Sequence, residues 1–155
     1  MHLIAHSLGN RALTEALKDL RRTLPPNAPP VFSQVVLAAP DIDVDVFVRL
    51  ADAIAGVADR ITLYASSRDE ALKKSKAIRG GLSRAGDSNF IVIVPGIDTI
   101  DATAVDTSLS GHSYIGDNRS ILTDVYFLFA LRAAPPRFGL KPMSADRGRY
   151  WLFRP

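Results

Sequence analysis

The run Val35-Val36-Leu37-Ala38-Ala39 narrows the fold more than any other segment of the chain. A strand with one wet face alternates apolar and polar residues. A strand with no polar face must be covered on both sides, as strands are inside a parallel sheet flanked by helices. Pro40 stops this run, so the strand ends there. Upstream, Leu13, Ala16, Leu17, Leu20 and Leu24 recur at spacings of three and four, with Arg11, Lys18, Arg21 and Arg22 on the opposite side. That spacing predicts an amphipathic helix, closed by Pro25-Pro26 and Pro29-Pro30. Before the helix, Leu3-Ile4-Ala5 reads as a short buried strand.

The same alternation continues downstream. Phe47 to Ala58 reads as a helix lined by Leu50, Ile54 and Val57, and Ile61-Thr62-Leu63-Tyr64-Ala65 as a strand rich in β-favouring residues. Asp69 to Arg79 reads as a helix with a thin apolar stripe, closed by Gly80-Gly81. Two segments compete for the last strand, Phe90 to Val94 and Thr99 to Val105, and the second is favoured because it leads to His112. Ser120 to Leu131 predicts a strongly apolar helix. Strands alternating with helices argue for an α/β fold with a mostly parallel sheet.

Residues 133–155 are set apart by composition as a Pro-containing basic tail following a domain over residues 1–132. The tail holds Arg137, Lys141, Arg147, Arg149 and Arg154 against Asp146 alone, so the high pI belongs to it and is poor evidence for a nucleic-acid-binding fold. The tail is expected to be loosely attached, docked back on the domain or disordered. The chain has no cysteine, which removes disulfides, thiol catalysis and thiolate metal sites. A cysteine-free chain suits the cytoplasm but leaves the compartment open. No run long enough to span a bilayer is present, and Met1 to Ala5 lacks the basic and apolar regions of a signal peptide.

The chemistry is concentrated where the first strand meets the first helix. A serine hydroxyl is a weak nucleophile unless a base sits beside it and donors await the oxyanion. A sharp strand-to-helix turn lifts such a serine above its sheet. Ala5-His6-Ser7-Leu8-Gly9 has the required pattern, with small residues two places either side of Ser7 to let strand and helix approach closely. The backbone N–H of Leu8 would serve the oxyanion, aided by the helix N-terminus.

The partners of such a serine follow along the chain in the order acid, then histidine, in α/β-hydrolases. Asp69 lies in Ser66-Ser67-Arg68-Asp69, behind a strand, and is the candidate acid; its competing role is a helix N-cap. Asp41 and Asp43, behind the preceding strand, are alternative acids. His112, in Gly111-His112-Ser113, is the only histidine downstream of Ser7 and is the candidate base.

The segments Ala5-His6-Ser7-Leu8-Gly9-Asn10-Arg11, Leu37 to Asp43, Leu63 to Asp69 and Gly111-His112-Ser113-Tyr114 together resemble a bacterial α/β-hydrolase family known mainly as a domain of unknown function. The resemblance spans about residues 3–131. It implies a serine-hydrolase fold and a triad of Ser7, His112 and Asp69, and it names no substrate. It also implies further strands ahead of the nucleophile strand, one of whose loops supplies a second oxyanion donor. The chain therefore reads as the C-terminal portion of a hydrolase, a partial α/β-hydrolase fold. Its first strand is then expected to be an exposed edge open to self-association, and little esterase activity is expected from it in isolation.

Other signals carry weaker readings. Asp41-Ile42-Asp43-Val44-Asp45 lacks the glycine and the terminal glutamate of a calcium loop, so no metal is expected. Lys73, Lys74, Lys76 and Arg79 read as a solvated helix face rather than an anionic-surface site. The tail from Arg147 to Arg154 mixes cations with aromatics, as interfaces with membranes or single-stranded nucleic acid do, yet no nucleic acid is expected as a partner. No phosphate-cradling or dinucleotide motif is present, so no nucleotide cofactor is expected. The expectation is a serine hydrolase of small ester or amide substrates; the alternative is a hydrolase remnant acting as a non-enzymatic interaction module.

Overall fold

A computed structural model describes residues 1–105 and 118–154. Six strands form one sheet: β1 (His2–His6), β2 (Phe32–Ala38), β3 (Ala58–Ala65), β4 (Ile97–Asp101), β5 (Leu140–Ala145) and β6 (Gly148–Phe153). Their spatial order is β1-β2-β3-β4-β6-β5. All neighbours run parallel except β5, which pairs antiparallel with β6. The helices are α1 (Gly9–Thr23), α2 (Val44–Ala53), α3 (Glu70–Ile78) and α4 (Arg119–Leu131). No helix among the described residues is long and apolar enough to cross a membrane.

The apolar run in β2 behaves as its composition requires, since every residue of the strand is buried. Val35 and Leu37 join Leu17 of α1, Phe47 and Leu50 of α2, and Ile61 and Leu63 of β3 in one core layer. Val36 and Ala38 face the other way, into a second layer with Tyr64, Ile100, and Ile121 and Leu128 of α4. Successive side chains of a strand point to opposite faces, so one apolar run feeds two cores.

Three expectations are revised. The second helix starts at Val44 rather than Phe47, because the Asp43 carboxylate caps the N–H groups of Asp45 and Val46. It ends at Ala53; Ile54 and Val57 are buried from the following turn, where Gly56 supplies a φ of +77°. The strand near Thr99 is shorter than the segment to Val105, and it begins at Ile97. The segment set apart as a loose tail is instead folded onto the sheet: residues 140–153 form the β5–β6 hairpin, and Trp151 and Phe153 are buried in the second core layer.

Arg137 fixes this return of the chain. Its Nε and Nη2 donate to Asp124 Oδ1 and Oδ2 of α4 at 2.6 and 2.7 Å, and Tyr64 donates its hydroxyl to the same carboxylate. All three side chains are buried. Burial, then the Asp124 charge and hydrogen bond, push the Tyr64 hydroxyl well above its ordinary pKa of 10.0. Burial opposes the charge of Arg137, but the hydrogen bonds and charge of Asp124 outweigh it and raise the guanidinium.

Candidate active site

Ser7 occupies the bend between β1 and α1 with φ +52°, in the left-handed region where a side chain is strained. The chain leaves the strand and enters the helix within this one residue, and Leu8 is already helical (φ −59°, ψ −26°). The bend is held from beneath. Ser7 N–H donates to Ala38 O at 3.0 Å, and Ser7 O accepts from Asn10 N at 3.1 Å and from Asp41 N at 3.4 Å. Asn10, wholly buried, donates Nδ2 to both Ser7 O and Ala38 O at 2.9 Å. Leu8 is the N-cap of α1, next to first-turn N–H groups that have no intrahelical acceptor.

Because β1, β2 and β3 are parallel, the residues following each emerge at one edge of the sheet. Ser7 follows β1, Asp41 follows β2 and Asp69 follows β3. Open α/β sheets place their ligands at such a carboxyl edge.

The three acids differ in what they already hold. Asp69 is 1% exposed and its Oδ1 accepts from Leu72 N–H at 2.9 Å, so it caps α3. The carboxylate is thus fixed in place at the edge by the helix it starts. Asp41 Oδ1 accepts from Ser75 Oγ at 2.8 Å and lies 3.3 Å from Arg84 Nε. Asp43 is the cap of α2. All three carboxylates are therefore tied to structural partners. His112 lies outside the described residues. His2, at the opposite end of β1 from Ser7, stacks on Phe129 with ring centroids 4.6 Å apart.

Two features were not read from the sequence. Gly86 threads between strand ends: its N–H donates to Pro40 O at 3.1 Å and its O accepts from Ser66 N–H at 2.9 Å. A Cβ there would lie 2.6 Å from Ala39 C and 2.8 Å from Pro40 N, so the position requires glycine. Arg84, two residues earlier, is buried beside Asp41. Arg-Ala-Gly after a glycine-rich break was the available signal, but it has no periodicity to mark it. Conversely, the close-packing reason for Gly9 finds no contact among the described residues: a Cβ at Gly9 meets nothing within 4 Å.

A mostly parallel sheet covered on both faces, with a positive-φ serine between a strand and a helix, is consistent with an α/β-hydrolase fold. Residues 1–126 match the family described as alpha/beta hydrolase of unknown function (DUF900), and the chain belongs to that family. No curated protein and no solved structure matches the chain.

Proposed function

We propose that the protein is a serine hydrolase that cleaves ester or amide bonds of small molecules. The observation that carries this reading is the Ser7 backbone, held at φ +52° where strand meets helix. A strained residue persists only where surrounding bonds enforce it, and here Asn10 and the β2 end supply those bonds. In this reading Ser7 Oγ attacks the substrate carbonyl. His112 takes the proton and returns it to the leaving group, while Asp69 orients the imidazole and stabilises its charged form. Leu8 N–H donates to the tetrahedral oxyanion.

The second reading, a remnant that keeps the bend but has no chemistry, draws on the N-cap bond from Leu72 to Asp69. A fluorophosphonate probe separates them. Covalent labelling mapped to Ser7 and lost in Ser7→Ala is expected for the hydrolase. Folded protein that stays unlabelled would make the remnant the better account.

A further inference from the structure

Between α1, α2 and the segment after α3 lies a cavity of about 500 Å³. Three arginines line it, Arg11, Arg79 and Arg84. Arg84 is the unusual one. It is 2% exposed, and its Nε and Nη2 are sealed from solvent without a hydrogen-bond acceptor. Asp41 lies 3.3 Å from Nε but outside bonding alignment, and its Oδ1 is already taken by Ser75. An unsatisfied charged donor in a protein interior costs more than most single contacts return.

The other acids at the cavity do not resolve this. Asp43 spends its carboxylate oxygen on the first turn of α2, and Glu15 pairs with Lys18. Arg11 Nε is used by Asp41 O at 2.8 Å, whereas Arg79 makes no ion pair among the described residues. The guanidinium of Arg84 is held below its ordinary pKa first by burial, with Asp41 and Asp43 opposing and Arg79 and Arg11 adding repulsion. Because Nε and Nη2 are sealed, the Arg84 side chain must turn to meet an acceptor in the cavity. The rest of the lining is mostly apolar, with Leu50 and Leu82 among it.

We propose that this cavity binds a small organic carboxylate with an aliphatic tail, the carboxylate received by Arg84 and Arg79 and the tail by the apolar wall. A planar guanidinium matches a carboxylate through paired N–H donors, which an ammonium cannot reproduce. The site is separate from the Ser7 chemistry and stands whether or not Ser7 is a nucleophile. It touches the bend all the same, since Asp41 links Arg84 to the Ser7 carbonyl.

Calorimetry and thermal denaturation of the full chain with sodium hexanoate, inorganic phosphate and hexan-1-ol test the proposal. Hexanoate should bind saturably and raise Tm, and phosphate should compete with it at lower affinity. Hexan-1-ol should do neither. Arg79→Gln, at an exposed position, should weaken hexanoate about tenfold while the fold is kept. Arg84→Lys should weaken it at least as much, because it keeps the charge but loses the paired donors. The proposal is overturned by no saturable hexanoate binding, by equal binding of hexan-1-ol, or by unchanged affinity in Arg79→Gln.

Discussion

At Ser7 a side chain is held at φ +52°, which costs about 1–2 kcal/mol relative to a right-handed residue. Glycine is free of that cost. Ser7→Gly should therefore be more stable than Ser7→Ala by about 1 kcal/mol in urea denaturation, a gain expected only where the backbone is bent against its preference. Gly86 presents the opposite case. Its missing Cβ leaves room for the Ala39 and Pro40 backbone, which cannot yield as a flexible side chain would. Gly86→Ala should lower stability by about 1–3 kcal/mol, read as a shift in the urea midpoint. The positions of Ser7 and Asp69 behind strand ends were legible because each follows a recognisable strand. Arg84 and Gly86 were not, because their importance comes from what other strands place beside them.

Among the elements, the β5–β6 hairpin depends on a buried charge. Arg137 and Asp124 are both sealed from water, and Tyr64 completes the carboxylate's hydrogen bonds. Since the Tyr64 pKa is raised above 10.0 by folding, its contribution is fully present below pH 10.0. Above that value the unfolded chain loses the proton first, and stability falls until the folded-state pKa is passed. Tyr64→Phe should lack this alkaline loss, so the difference in unfolding free energy between wild type and variant should shrink above pH 10.0. Denaturant titrations across that range measure it. The hairpin escaped the sequence reading because Trp151 and Phe153 alternate with Leu152 and Arg154 beside Arg147 and Arg149, and the charges dominated. Alternation is itself the mark of a half-buried strand, and Pro142 fits the edge position that β5 takes.

For the whole molecule, the decisive property was already present in β2. A strand with no polar face demanded cover on both sides, and the structure supplies α1 and α2 on one face and α4 on the other. That arrangement sends the ends of β1, β2 and β3 to one edge and collects Ser7, Asp41 and Asp69 there. In the proposed mechanism Ser7 is activated by His112, and Asp69 acts through His112. The most direct test is the second-order rate of fluorophosphonate labelling at Ser7 in wild type, His112→Ala, Asp69→Asn and the double variant. His112→Ala should slow labelling by about 100-fold or more, Asp69→Asn should slow it as well, and the double variant should be scarcely slower than His112→Ala alone. Labelling that proceeds at the wild-type rate without His112, or losses that simply multiply in the double variant, would contradict it.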